Sequence, residues 1–447
     1  MIDIKLIRET PGIVKQSQKK RGLDEKEIDR LVDLDSDWRK TKQETDSLRQ
    51  ERNRITIEIN EAKKQGKSIE NLIHKAKQIP QELAKKDEIL NRLEAERNEI
   101  LENIPNIVDK SVPLGTEEKN KVIGKVGTPK KIPNAKGHEE LLNALDQIDI
   151  ERAGKVAGAR FYYLKKELVK LNYAIINFAL DTLMKKGFTL MQPPYMLRRE
   201  ALKGAITLSA FEEMIYKIQD EDLYLIGTAE HALNAYYMNE VLPADKLPIR
   251  FAGISPCFRK EAGSHGKDTK GIFRIHQFEK VEQFVFCKPE QAQKEFDLIL
   301  ENTKEIFRKL EIPFRIVLLA SQDMGRSAAK TVDIEGWFPS QKVYRELGSC
   351  SNCTDYQARR SSIKYNDKGE RKFVYTLNNT AIATERAIVA IVENQQQKDG
   401  SIKIPKALWQ YTGFKEIKAD KPVSKAKIKN SGKKATASRK SGKRNKR

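Results

Sequence analysis

The residues best placed to do chemistry fall between Phe258 and Glu282. Phe258-Arg259-Lys260-Glu261 leads into a loop bearing Gly and Lys, which returns as Arg274-Ile275-His276-Gln277-Phe278-Glu279-Lys280-Val281-Glu282. A guanidinium grips phosphate through two parallel donors, a geometry that a lone ammonium cannot copy. Two such groups joined by a basic loop suit a polyphosphate. On a strand, side chains two, four or eight apart share a face. That spacing pairs Arg259 with Glu261 and aligns Arg274, Phe278 and Glu282 as phosphate clamp, base platform and ammonium acceptor. An isolated Arg-x-Glu is ordinarily a surface ion pair. Two arginines, an aromatic and two acids within 25 residues read instead as an ATP site beside an amino-acid site.

Three further groups fit the same chemistry. Tyr344-Arg345-Glu346-Leu347-Gly348-Ser349 places an acid beside a small-residue turn, where a carboxylate serves a triphosphate as a Mg²⁺ ligand. Thr384-Glu385-Arg386 opens a helical run, and its Arg can offset charge that builds on an α-phosphate under attack. Gly227-Thr228-Ala229-Glu230 follows a strand-like run and starts a helix, offering a hydroxyl and a carboxylate to a small ligand.

These groups need a scaffold. From His138 onward, short β-like runs at 223–226, 249–252, 281–286 and 314–319 alternate with helical stretches at 160–186, 230–241, 289–310 and 381–395. Short connections between the strands predict an α+β domain, an antiparallel β-sheet flanked by helices. Residues 27–104 differ sharply: they are Lys/Glu-rich and carry two heptad seams. Leu31, Leu34, Trp38, Thr41, Thr45, Leu48, Arg52, Ile55, Ile59 and Ala62 form the first; Ile79, Leu83, Lys86, Leu90, Leu93, Arg97, Ile100 and Ile104 form the second. Gln65-Gly66-Lys67-Ser68 breaks between them. The pattern predicts an N-terminal antiparallel coiled-coil hairpin whose arms, about 32 residues each, reach ~48 Å. Such a hairpin buries only its own seam and projects from the body, as a probe for a distant partner or as a dimerisation coil. The expected division is 1–104 with the arm, 105–136 as linker, 137–414 as catalytic domain and 415–447 as a basic tail too polar to fold alone.

Composition narrows the partners. The 447 residues are 39% hydrophobic and 33% charged, with a formal charge of +21. Residues 415–447 hold 14 Lys and Arg against 2 acids, which leaves +9 on the rest. An anionic partner, RNA above all, suits that balance; solubility is the plainer reading. The four cysteines do not form a disulfide framework, and Cys350-x-x-Cys353 lacks the remaining ligands of a zinc site, so ordinary thiols and no zinc are expected. No run of ~18 apolar residues suggests a membrane span, and no leader is recognisable, which reads as a cytoplasmic protein.

Together the motifs resemble the class II aminoacyl-tRNA synthetases, and within them the seryl branch. Gly187 to Met196 looks like the first class signature, with Pro194 as its proline at the dimer interface. Phe258 to Glu261 followed by Arg274 to Glu279 looks like the second, and Glu385-Arg386 ends the third. Thr228-Ala229-Glu230, Arg345 to Asn352 and Thr376 to Thr380 mark the branch, and the N-terminal hairpin is similar to its tRNA-gripping arm. The resemblance implies serine-tRNA ligase activity: seryl-adenylate formation from L-serine and ATP, then transfer to tRNA(Ser), with tRNA(Sec) as a second candidate acceptor, in a homodimer. It assigns ATP to Arg259, Lys260, Glu261, Arg274, Ile275, His276, Gln277, Phe278, Glu346, Leu347, Gly348, Ser349 and Arg386. Catalytic roles go to Arg259, Glu261, Arg274, Glu346 and Arg386, and Mg²⁺ to Glu346 and Ser349. Serine falls to Thr228, Ala229, Glu230, Glu282, Asn378 and Thr380. Thr380 stands where a serine is frequent, so its methyl narrows the pocket. Loading of a carrier protein is the competing activity, and the long arm argues against it. A non-catalytic RNA-binding relative would have lost Arg259, Glu261, Glu346 or Arg386, and none is lost.

Overall fold

The computed structural model describes residues 1–207, 214–261 and 271–418. The basic loop at 262–270 and the tail from 419 onward, both singled out above, lie outside the described residues.

Eight strands build the central sheet. In chain order they are β1 (Lys121–Val126), β2 (Thr189–Met191), β3 (Ile249–Phe258), β4 (Gln277–Cys287), β5 (Phe314–Leu318), β6 (Lys330–Phe338), β7 (Val343–Asn352) and β8 (Tyr375–Ala383). They lie side by side as β1-β5-β6-β7-β8-β4-β3-β2. All neighbours run antiparallel except β2 and β3. Period-two alternation gives each strand one face for the core and one for the site. Val281, Val285, Val332, Ile334 and Leu377 point to one side, where three helices cover them.

Those helices are α3 (Lys166–Lys185), α5 (Ala292–Lys309) and α6 (Thr384–Gln395); α1, α2 and α4 are given below. On α5 the buried Phe296, Ile299, Thr303, Ile306 and Phe307 recur at the 3–4 spacing of one helical face. Helix α6 is buried almost all round, as its run Ala387 to Val392 dictates. The expected helix at 381–395 begins only at Thr384, because β8 keeps its ladder to β4 as far as Ala383. The expected helix at 230–241 is α4 (Ala229–Ala235) and no longer; the chain turns after it, with Asn239 at φ 67°.

Helices α1 (Lys26–Lys64) and α2 (Glu70–Asn103) form the hairpin. Gly66, at φ 65°, makes the turn. With 39 and 34 residues the arms reach ~58 and ~51 Å, longer than the seams alone predict. Ile55, Ile79 and Leu83 close the seam towards the tip. Arg49–Asp87 at 2.8 Å and Lys86–Glu44 at 2.5 Å clasp its flanks. At the base, Asp35 is buried and meets Arg8 at 2.7 Å, Arg39 at 3.1 Å and Arg97 at 3.6 Å, while Arg97 lies 4.1 Å from the Trp38 ring. The base is tied to the body: Asn106 Nδ2 donates to Cys353 O at 2.8 Å, and Arg21 Nη2 to Ala328 O at 2.5 Å.

Two expectations change at the boundaries. The stretch read as a linker contributes β1, whose Val126 packs on the main core. Glu416–Ile417, assigned above to the tail, pairs with Ile402–Lys403 and buries Ile417 in that same core. Each is a two- to six-residue run with few apolar side chains, too short to stand out in sequence.

Candidate active site

Strands β3 and β4 and the ends of the loop between them carry the first group. The strand-face argument holds for Phe278 and Glu282, which lie on β4, and fails for the others. Strand β3 stops at Phe258, Glu261 turns at φ 48°, and β4 starts only at Gln277. The chain has to leave the ladder to enter the loop. Backbone pairing continues one step further: Arg259 N–H donates to His276 O at 3.0 Å, and His276 Nδ1 lies 2.9 Å from Arg259 O. The expected residues are therefore brought together by the loop stems. Arg274 Nη1 meets Glu261 Oε2 at 2.7 Å, and the Arg259 guanidinium sits 5.2 Å from the Phe278 ring centre.

Arg259, Glu261, Arg274, Phe278 and Arg386 wall one cavity. Arg259 also borders a second cavity, lined by Thr228, Glu230 and His231. One guanidinium thus faces both, and its Nε donates to Gly227 O at 3.1 Å, which fixes its stem.

Of the expected amino-acid residues, Thr228 and Glu230 line the second cavity, and Asn378 stands behind Glu230. Thr228 caps α4, its hydroxyl accepting from Glu230 N–H at 3.2 Å. Glu230 accepts from Gln357 at 2.7 Å and from Asn378 at 3.1 Å. Burial, and after it the Glu282 charge, pushes the Glu230 carboxyl up to about 7. Glu282 lies opposite Thr380 in the ladder, and the Thr380 hydroxyl donates to it at 3.2 Å. Ala229 is fully buried against Gly253, where a β-carbon would come within 3.0 Å of it.

Glu346 and Ser349 share a face through an irregularity. Three apart on a regular strand, they would face opposite ways. A bulge in β7 leaves Glu346 opposite Glu335 but Ser349 opposite Asp333, returning both to the open face while Leu347 enters the core. Arg386 Nη1 stands 3.0 Å from Glu346 and holds its carboxyl below the usual carboxylate range. Leu347 and Ile275 are buried apolar side chains, so only their backbones are available to a ligand. Pro194 lies apart, exposed between β2 and the short strand Met196–Leu197.

The sequence reading missed several residues of the site. Lys280 is buried and pairs with Glu282 at 2.5 Å; its step of two along β4 was the available signal. Gln357 and His231 had none. Asp333 shares the open face with Ser349, and burial, followed by the Glu346 charge, raises its carboxyl well above the usual range. Phe273 carries two cations, Arg345 at 3.9 Å and Arg386 at 5.2 Å from its ring centre. The four thiols are buried, and burial raises the Cys350 and Cys353 pKa values. Among the described residues no three His, Cys, Asp or Glu side chains converge as a metal cage, and no helix is long and apolar enough to cross a membrane.

Comparison with known proteins assigns the whole assembly. Residues 1–108 match the family model for the seryl-tRNA synthetase N-terminal domain, and 214–395 that for the tRNA synthetase class II core domain (G, H, P, S and T). The chain is 48% identical over 443 residues to the serine–tRNA ligase of Pyrococcus abyssi, an alignment covering 93% of this chain and 97% of that one. The seryl-tRNA synthetase of Pyrococcus horikoshii, solved with ATP, is 46% identical, with a TM-score of 0.89 over 94% of this chain and 100% of that one. The cytoplasmic serine–tRNA ligase of Naegleria fowleri, solved with AMP, is 36% identical, with a TM-score of 0.84 over 94% and 99%. With fold, motifs and full-length similarity in agreement, the chain belongs to the seryl-tRNA synthetase family of class II aminoacyl-tRNA synthetases.

Proposed function

We propose that this protein activates L-serine with ATP and transfers it to tRNA(Ser). The observation that carries the reading is Arg259, whose guanidinium borders both the cavity walled by Arg274, Phe278 and Arg386 and the one holding Thr228 and Glu230. A carboxylate in the second cavity and an α-phosphate in the first would meet at that cation.

Each residue then has a task. Phe278 stacks the adenine, Arg274 takes the outer phosphates, and Arg259 and Arg386 face the reacting phosphate. Glu230 and Glu282 receive the serine ammonium, while Thr380, held by Glu282, reads the hydroxyl with it. The serine carboxylate oxygen attacks the α-phosphorus as the bond to pyrophosphate breaks. Fixed guanidinium groups stabilise charge that gathers there without reorganising at the moment of reaction. Alanine is rejected because it leaves the buried polar groups unpaired, whereas threonine is rejected on size, by the Thr380 methyl. Glu346 and Ser349 are the residues to hold Mg²⁺: an ionised carboxylate and a hydroxyl on one strand face are the hard, partial donor set this ion takes when phosphates supply the rest. When bound, Mg²⁺ neutralises phosphate charge.

The hairpin is the tRNA-gripping element, and tRNA(Sec) is its other candidate acceptor. A homodimer is supported by the exposed apolar Tyr173 and Met184 on α3 and Leu190 on the edge strand β2, in the segment that runs to Pro194. The cytoplasm is its expected compartment.

The deciding experiment is ATP–pyrophosphate exchange against all twenty amino acids, followed by charging of tRNA(Ser) by the full chain and by a variant with the hairpin shortened from its tip. Exchange with serine alone, and charging lost with the tip, is the expected result. Exchange with another amino acid would sink the specificity, and unimpaired charging would sink the role of the arm.

A further inference from the structure

We infer that His138, far from the motifs in sequence, is a positioning residue for ATP. It opens the helix His138–Ala144 and is 7% exposed. On one side its Nδ1 lies 3.3 Å from Glu393 Oε1, and its backbone N–H donates to the same oxygen at 3.2 Å. Glu393 belongs to α6, is wholly buried, and through Oε2 also accepts from the Ser340 hydroxyl at 2.5 Å. On the other side, His138 Nε2 accepts from Ile272 N–H at 3.2 Å. An imidazole that accepts at Nε2 carries its proton at Nδ1, where Glu393 receives it. Both ring nitrogens are thereby used, and the ring is held as a strut between α6 and the returning stem of the basic loop.

The stem needs such a support. Residues 271–275 precede both β4 and the Arg259–His276 pair and lie outside the ladder. Gly271 passes the ring at φ 73°, and a β-carbon there would lie 1.9 Å from His138 Nε2, so only glycine fits. Ile272, whose N–H is held, is fully buried. The next residue, Phe273, packs edge-on against Phe338 at 5.4 Å and underlies Arg345 and Arg386. Arg274 follows, bonded to Glu261. One hydrogen bond accepted by His138 therefore sets the origin of the segment that supplies a ring beneath two cations and a third cation beside them. The cavity lined by Thr228, Glu230 and His231 shares no residue with this strut.

The inference rests on the reading of the Phe273–Arg274–Arg386 cavity as the ATP site. Its test is His138→Ala and His138→Gln in the full chain, with KM for ATP and for serine in exchange, ATP binding by calorimetry without serine, and the thermal midpoint. His138→Ala should raise the ATP KM and Kd about tenfold, the scale of one buried hydrogen bond, and leave the serine KM within about twofold. Glutamine, which can donate to Glu393 and accept from Ile272, should restore most of the loss. Equal shifts for both substrates, no shift for ATP in a folded Ala variant, or a Gln variant no better than Ala would overturn it. If His138→Ala does not fold, Gly271→Ala provides the same comparison, and an unchanged ATP Kd there is equally fatal. A parent protein that binds ATP but exchanges with no amino acid would overturn the functional reading and leave the calorimetric test of His138 standing.

Discussion

Arg386 Nη1 stands 3.0 Å from Glu346 Oε1 and also donates to the Glu346 carbonyl at 3.2 Å, so the cation at the start of α6 and the carboxylate on β7 form a pair. The pair keeps Glu346 ionised and aims Arg386 into the cavity. Arg386→Ala should lower kcat for ATP–pyrophosphate exchange by about 10²–10³-fold, as loss of one preorganised donor does. Arg386→Lys should recover little, because an ammonium cannot serve the carboxylate, the Phe273 ring and a phosphate together. Steady-state exchange at saturating ATP checks both, and a Lys variant of full activity would show that charge alone suffices.

Glu230 ties pH to serine binding. Its carboxyl, raised from 4.5 to about 7 by burial and then by Glu282, is protonated in the free site below neutrality and cannot receive an ammonium. The serine KM should therefore rise as pH falls below about 7, while the ATP KM stays level. Stability runs the other way. Between about 4.5 and 7 the folded state binds the proton more tightly than the unfolded chain, so this group makes the protein less stable as pH rises through that window. Glu230→Gln should abolish exchange and unfold at a higher temperature than the parent at pH 8. A lower midpoint would show the carboxylate to be structural.

How far these residues were legible depends on how local their relations are. The hairpin seams could be read because a heptad is a property of neighbours, and Phe278 with Glu282 because strand period reaches that far. Arg274 reaches the cavity through a loop stem, not the strand face that its spacing suggests. Glu346 and Ser349 share a face only because of a bulge, which no pattern of residue types announces. Gln357 meets Glu230, and His138 meets Ile272 and Glu393, across more than 100 residues each. Such contacts exist only after the sheet has assembled. Asp35 is the same lesson in the arm, a buried acid beside the apolar seam whose arginine partners arrive from three places.

That acid should couple the base of the arm to the second half of the reaction. Three arginines converge on Asp35; burial alone would raise its carboxyl, but Arg8 and its neighbours outweigh this and hold it below the usual range. Its contribution is therefore present above the ordinary carboxylate value and lost as pH falls through the depressed one, below about 3.8. At neutral pH, Asp35→Ala leaves the cations facing one another and should cost on the order of 3 kcal/mol. Exchange should persist, because the site lies on the sheet, while the charging kcat/KM for tRNA(Ser) falls. Parallel loss of both activities at a temperature where the variant is folded would refute the separation.

The basic tail should act on RNA alone, provided it is cut in the right place. Truncation after Phe414 removes Ile417 from the core along with the strand pairing at Ile402–Lys403, so any loss it causes mixes folding with binding. Truncation after Lys418 removes 12 Lys and Arg and one acid and spares both. Cations that neutralise phosphates release counterions, so each contact adds about 0.7–0.9 to the slope of log K against log salt. The shorter chain should keep the parent's exchange rate and thermal midpoint. Its tRNA(Ser) affinity should fall at low salt, with a slope shallower by roughly two to four if the tail holds three to five phosphates. Titrations at several salt concentrations read this directly. An identical slope in parent and truncated chain would mean that the tail's charge never reaches the RNA.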